Sequence, residues 1–235
     1  MKILPLILAR GGSKELPRKN VRPLCGKPLI VWTIEQALNS TRIDHVVVST
    51  DDEEIANIAH NFGAEVPFSR PKELARDNSP SVDAIMHALE WFKEHGKQFD
   101  VVMLLEPTHP LRKKSDIDSA IELFTKNIEQ VDSLVTLGEV PSADHPNTVK
   151  RLEDGYVKPY EATNLNIYQR QQLPKAYSPY GGVYLSKVKE MRDLRTFYQE
   201  RTIPYLVERW QTYDIDDIYD FVCVEAVMRY RLRST

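Results

Sequence analysis

Two stretches of this 235-residue chain carry residue types whose spacing could do chemistry on a phosphate. The first is Ala9-Arg10-Gly11-Gly12-Ser13-Lys14, continued by Lys19-Asn20. Paired glycines let backbone N–H groups approach an anion closely, and Arg10, Lys14 and Lys19 supply cations that can spread over a polyphosphate. The second is Asp214-Ile215-Asp216-Asp217. In an extended segment residues two apart point the same way, so Asp214 and Asp216 present two carboxylates on one side with Ile215 on the other. That pair suits a hard divalent cation such as Mg²⁺, which takes oxygen ligands, accepts one or two protein carboxylates and completes its shell with water and substrate phosphates. Asp217 reads instead as the N-cap or first-turn residue of the helix that follows.

Other chemistries lack their spacing. A P-loop is absent, because Gly26-Lys27 is followed by Pro28 and Val21 stands where its first glycine belongs, and no G-x-G-x-x-G occurs. The six histidines form no H-x-x-x-H pair and no arrangement with Ser or Cys that reads as a nucleophilic triad. Cys25 and Cys223 stand far apart with no second ligand at metal spacing, so neither a disulfide framework nor a zinc site is expected. Thirty-one Lys and Arg against thirty-four Asp and Glu give a net charge of −3, without the basic excess that nucleic-acid binders use. A small anionic ligand remains compatible with that balance. The apolar run at the start is too brief for a signal peptide or a membrane span, so a cytoplasmic protein with no membrane partner is expected.

The elements that must position these residues follow from periodicity, and 42% hydrophobic residues are enough for a substantial core. Short β-branched runs at 3–9, 46–50 and 101–105 alternate with helical spacing over 29–38, 52–62 and 81–95, the pattern of βαβ units around a parallel sheet. A short strand is expected at 64–68, a helix over 117–124, strands over 133–140 and 181–185, and a closing helix over 215–227. From 141 to 179 the chain is polar and proline-containing, with one Asp154-Gly155 turn, which predicts an inserted arm. Residues 1–235 thus read as one α/β domain. The glycine loop falls after the first strand, where open α/β sheets bind ligands.

These residues resemble the cytidylyltransferases that make CMP-sialic acid. The resemblance runs through residues 9–14, Lys19-Asn20, residues 24–29, Ser49-Thr50-Asp51-Asp52, residues 70–75 with Asp77, residues 104–112, 170–174, 181–184 and 214–216, in the family's order. It implies a Rossmann-like domain of the nucleotide-diphospho-sugar transferase type, with a mostly parallel sheet and a dimerisation arm at about 141–179 that reaches into the partner's site. It further implies transfer of CMP from CTP to the anomeric hydroxyl of a nine-carbon 2-keto-3-deoxy sugar acid, with Mg²⁺ as cofactor. By residue, Ala9, Arg10, Gly11, Gly12, Ser13, Lys14, Lys19, Asn20, Arg70 and Ser81 would hold the nucleotide, with Lys19 facing the α-phosphate. Lys19, Arg10 and Asp216 would serve catalysis, and Asp214 and Asp216 would hold the metal. Glu106, Thr108, His109, Lys150, Arg170 and Tyr180 would meet the sugar, in a segment that also includes Pro107, Pro110 and Arg112. The family more usually has Gln and Ser where this chain has Glu106 and His109, and Asn where it has Tyr180. Readings that stay open are an eight-carbon (KDO-type), legionaminic or pseudaminic acid acceptor, a binding protein without catalysis, Arg70 as a surface ion pair, and Lys150 and Arg170 as solvated charges.

Overall fold

A computed structural model describes residues 1–160 and 170–233 of the chain. The central sheet contains β1 (Ile3–Leu8), β4 (Val47–Ser49), β5 (Val101–Leu104), β6 (Ser133–Glu139), β9 (Tyr177–Lys187) and β10 (Thr202–Val207), in the order β10-β6-β9-β5-β1-β4. All pairs are parallel except those made by β9, which runs against both β5 and β6. Two small hairpins stand apart from it. One is β2 (Pro23–Leu24) with β3 (Lys27–Pro28), turned through Cys25 and Gly26, both at positive φ. The other is β7 (Lys150–Glu153) with β8 (Tyr156–Pro159), turned at the Asp154-Gly155 pair that the sequence marks.

Helices cover both faces because β1 and β5 are apolar on both sides and must be sealed twice. On one face α1 (Leu29–Leu38), α2 (Glu53–Asn61) and α4 (Asp116–Lys126) bury Ile34, Ile55, Ile121 and Phe124 against Ile7, Val48 and Met103. On the other, α3 (Ser81–Glu94) and α5 (Val188–Leu194) bury Ile85, Phe92 and Met191 against Leu4, Leu6 and Val102. A third cluster lies beneath α6 (Ile218–Arg233), where Phe221, Val224 and Met228 meet Leu16, Leu24, Leu29 and Ile215.

Two expectations change, and one strand is new. Residues 64–68 form no strand. The segment makes single parallel bridges at Glu65 and Ser69, and Pro67 between them has no N–H for a ladder. The closing helix starts at Ile218 rather than 215, because Ile215 is wholly buried as a core plug and Asp217 supplies the cap. The Asp217 carboxylate accepts from the N–H groups of Tyr219 and Asp220 while the Asp220 carboxylate accepts from those of Asp216 and Asp217, a reciprocal cap. Edge strand β10 carries Pro204, which hides it from a periodicity reading.

Strand order decides where the site lies. The chain leaves β1 toward β4 on one side and returns to β5 on the other, so β1 and β5 form a switch point with a crevice beyond their C-terminal ends. Because β9 runs the opposite way, its early residues arrive at that same end, and the Glu106 N–H donates to the Gly181 carbonyl at 3.3 Å.

Candidate active site

A cleft of about 160 Å³ opens at the switch point, lined by Leu8, Arg10, Ser13, Lys19, Asn20, Ser81, Glu106, Pro107 and Thr108. The larger, more apolar hollow of about 660 Å³ lies at the opposite end of the strands, beside Met1, Phe99 and Val188. The cleft is the smaller of the two, but it holds the convergent polar groups.

One wall is the loop after β1. Ala9 is buried and hydrogen-bonds to Ser49 across the sheet, and the buried Asn20 side chain donates to the Arg10 carbonyl at 3.0 Å, so the loop is closed by its own end. The carboxylates after β4 hold its middle. The Gly11 N–H donates to Asp51 at 3.0 Å, and Arg18, at φ 58°, pairs with Asp52 at 2.5 Å while Asp52 also caps α2. Gly11 therefore has a reason to lack a side chain that differs from the expected one: a Cβ there would lie 2.8 Å from the Asp52 Cβ, and its N–H is spent on Asp51 rather than free for an anion. Gly12 has open space around it. Arg10 and Lys14 both pair with one carboxylate, Asp77, at 2.5 and 2.6 Å. Those contacts hold the Asp77 carboxyl below its usual range and fix the two cations side by side.

The opposite wall is acidic. The Lys19 ammonium donates to the Ile215 carbonyl at 2.7 Å and lies 3.5 Å from the exposed Asp216 carboxylate, which joins the glycine loop to the second motif. Residues 213–216 form no strand. Ile215 turns into the core, its N–H held by the Thr108 carbonyl at 3.0 Å, and the Asp214 carboxylate accepts a hydrogen bond from the Thr108 side chain. Burial, with Asp216 nearby, raises the Asp214 carboxyl above its usual range. Glu106 is pushed up to about 7, first by burial and then by the Asp214 charge, against the opposing pull of Arg112. Three carboxyl groups thus share one partly desolvated corner with Lys19. Among the described residues no three acidic or imidazole groups converge closely enough to form a metal cluster. The donor set that remains, the Asp214 and Asp216 carboxylates on either side of Ile215, matches a cation that takes one or two protein ligands.

Beneath the cleft lies a buried cation whose function the sequence does not reveal. The Arg112 guanidinium donates to the carbonyls of Glu106, His109, Gly181 and Gly182 at 2.5 to 2.8 Å and to Thr33 and Gln36 at 3.1 and 3.2 Å. Arg112 therefore holds residues 106–109 against the start of β9 and does not reach the cleft. Its pKa is lowered to about 10 by burial. A polar side chain amid prolines and leucines is the signal that could have marked it.

The remaining expected site residues are placed as follows. Ser81 opens α3 at the cleft rim. Arg70 is no surface ion pair: it is buried, donates to the Ser49 hydroxyl at 3.0 Å and to the Ser49 carbonyl, and is lowered to about 10 by burial. His109 is fully buried, pushed down to about 3 by burial and the Arg112 charge, so it shapes the floor as a neutral ring and does not face the cleft. Tyr180 leans over it at a ring separation of 6.2 Å. A Cβ on Gly138 would come within 2.9 Å of the Tyr180 ring, which accounts for a glycine in mid-strand. Lys150 begins the separate hairpin, exposed and outside the cleft lining. Arg170 opens a single turn, Arg170–Gln172, and its side chain lies outside the described part, as do residues 161–169.

Two outcomes follow from this geometry. Gly181→Ala would set a Cβ 2.8 Å from the Glu106 Cβ, so the cleft wall must shift. Turnover should fall about tenfold or more while stability drops by about 1–3 kcal/mol; wild-type kinetics in that variant would contradict the contact. Glu106→Gln tests the buried carboxyl. With a folded-state pKa of about 7 the native protein retains a proton that the unfolded chain releases near 4.5, so stability falls as pH rises through that window and stays lower above it. Urea unfolding in metal-free buffer should show the variant more stable than wild type by about 1–3 kcal/mol at pH 8 and equal to it at pH 4. A difference independent of pH would contradict the assignment.

Comparisons with known proteins identify the family and the fold. The cytidylyltransferase family model matches residues 4–232. The CMP-N,N'-diacetyllegionaminic acid synthase of Legionella pneumophila is 36% identical over 231 residues, covering 97% of both chains. The pseudaminic acid cytidylyltransferase of Campylobacter jejuni is 34% identical, covering 94% of this chain and 93% of that one. The N-acylneuraminate cytidylyltransferase of Escherichia coli is 32% identical, covering 99% of this chain and 54% of its own length. In fold, the CTP complex of CMP:2-keto-3-deoxy-manno-octonic acid synthetase superposes with a TM-score of 0.71 at 17% identity, covering 98% of this chain and 100% of that one. The chain belongs to the cytidylyltransferase family, in the group that includes the CMP-sialic acid synthetases and their legionaminic and pseudaminic counterparts, and is a nucleotidyltransferase.

Proposed function

We propose that the protein transfers CMP from CTP to the anomeric hydroxyl of a nine-carbon sialic-acid-like sugar acid and releases pyrophosphate. The observation that carries this reading is Lys19, which joins the phosphate loop to the Asp214 and Asp216 corner in one cleft. The relatives above 30% identity act, by their names, on legionaminic, pseudaminic and N-acylneuraminic acids, which supports a nine-carbon acceptor over the eight-carbon acid of the structural neighbour.

In this mechanism the sugar oxygen bonds to the α-phosphorus as the bond to the bridging oxygen of pyrophosphate breaks and the hydroxyl proton passes to Asp216 or to water, and no covalent enzyme intermediate is needed. Arg10 and Lys14 exchange Asp77 for the β- and γ-phosphates, and Lys19 balances charge at the α-phosphate. Asp214 and Asp216 would hold Mg²⁺, which supplies further neutralisation of phosphate charge. Thr108 fixes the Asp214 carboxylate, and Ser81 and Ser13 border the nucleotide. Glu106, at a corner where ordinary carboxylates would repel an acidic sugar, stays substantially protonated near neutral pH and can donate a hydrogen bond to it. Tyr180 limits the pocket beyond. The exposed apolar hairpin, with Leu152 80%, Tyr156 70% and Val157 69% exposed, is the arm of a homodimer in this reading.

Pyrophosphate release from CTP with Mg²⁺ is measured with N-acetylneuraminic, legionaminic, pseudaminic and KDO acids as acceptors. Turnover with one or more nine-carbon acids and little with KDO is the expected result. Preference for KDO would overturn the nine-carbon assignment, and silence with all four would point to the non-catalytic reading.

A further inference from the structure

Two cations of the phosphate loop have an anionic partner within the chain itself. One oxygen of the Asp77 carboxylate lies 2.5 Å from the Arg10 guanidinium and the other 2.6 Å from the Lys14 ammonium. A carboxylate that gives each oxygen to a different cation bridges them as a phosphate group would. Asp51 and Asp52, which also hold this loop, bond backbone N–H groups as well, those of Gly11 and Ile55. Asp77 does not: among the described residues Arg10 and Lys14 are its only hydrogen-bond partners.

The pairing is built to come apart. All three side chains are partly exposed, Lys14 most of all at 82%, so burial locks neither ion pair, and exposed pairs of this kind each shift an equilibrium by less than about tenfold. Asp77 also sits on a span that is anchored at its ends. The Arg70 N–H donates to the Thr50 carbonyl at 2.8 Å at one end, and Ser81 opens α3 at the cleft rim at the other. Between them the Ser79 hydroxyl donates to the Glu73 carbonyl at 2.6 Å, which closes the span on itself rather than on the sheet. A triphosphate that takes Arg10 and Lys14 must displace Asp77, and a departing pyrophosphate returns them to it. Such an internal competitor lowers the affinity of every anion that needs both cations, because only molecules with the pair released can bind. Release of the second product gains from the same competition.

We propose that Asp77 is a positioning residue that competes with the β- and γ-phosphates for Arg10 and Lys14, holding the two cations together before CTP enters and displacing pyrophosphate after transfer. The inference rests on the nucleotide reading of the cleft and is independent of which sugar accepts CMP.

Calorimetric titration of the full chain with inorganic pyrophosphate and with CTP, without acceptor sugar, tests it in wild type, Asp77→Asn, Asp77→Glu and Glu73→Gln. Asparagine keeps the side-chain volume and loses the charge, whereas Glu73→Gln removes a charge from the same span that pairs with neither cation. Asp77→Asn should bind both ligands about three- to tenfold more tightly, while Asp77→Glu and Glu73→Gln bind them about as wild type does. In initial-rate measurements the KM for CTP and the inhibition constant of pyrophosphate should fall together in Asp77→Asn, a paired change that a loss of folding does not produce. Unchanged or weaker binding in Asp77→Asn, or an equal gain in Glu73→Gln, overturns the proposal and leaves the nucleotide site in place. Absence of binding by wild type and every variant overturns both.

Discussion

Replacing Asp214 by asparagine is expected to lower turnover by about two to four orders of magnitude while leaving the protein folded. The magnitude follows from the several kcal/mol of charge stabilisation that a bound divalent cation contributes to phosphoryl chemistry, each 1.4 kcal/mol being about tenfold. The unchanged fold follows from the electrostatics of the corner. Asp214 is raised by burial and by Asp216, so its charge costs folding free energy, and an amide can still accept the Thr108 hydrogen bond. Thermal unfolding in metal-free buffer should therefore show a midpoint equal to or above that of wild type. Initial rates at saturating CTP and Mg²⁺, paired with that melting curve, check both halves. Near-normal turnover would remove Asp214 from the chemistry, and a large loss of stability would recast it as a structural residue.

The second large effect falls on stability. Arg112→Met removes a buried guanidinium that binds four backbone carbonyls at once, and methionine fills part of the volume without donating to any of them. Buried acceptors left without partners cost about 1–3 kcal/mol each in unfavourable cases, and breaking such a network costs about 3–5 kcal/mol in all. Against a total of about 5–15 kcal/mol, this should shift the urea midpoint strongly or abolish soluble protein. Lysine should not rescue it, because one ammonium cannot span the carbonyls that a planar fork reaches. A variant as stable as wild type would mean that the carbonyls of Glu106, His109, Gly181 and Gly182 find other donors.

Sequence made the phosphate loop and the paired aspartates legible because each depends on residue type and short spacing. Lys14 needs only to follow two glycines, and Asp214 and Asp216 need only be two apart. The helices with one clear apolar face, α2 and α3, were legible for the same reason. What stayed hidden depends on tertiary placement. Arg112 reads as part of the sugar-contacting segment until β9 is seen to run antiparallel and deliver its carbonyls. His109 reads as a polar contact until burial closes over it, and Gly11 as an anion-binding glycine until Asp51 is found on its N–H. Pro204 conceals β10, since an edge strand tolerates a proline that a central one would reject. Asp77 was visible only as part of a motif, and its hold on Arg10 and Lys14 required the fold.

The account rests on cleavage of the nucleotide between its α- and β-phosphates, and ³¹P NMR of one reaction mixture reads that bond directly. With CTP, Mg²⁺ and an accepted sugar acid, the three CTP resonances should give way to one phosphodiester signal of the CMP-sugar and one of pyrophosphate, in equal molar amounts. Appearance of CDP with orthophosphate, or equal consumption of UTP in place of CTP, would contradict it.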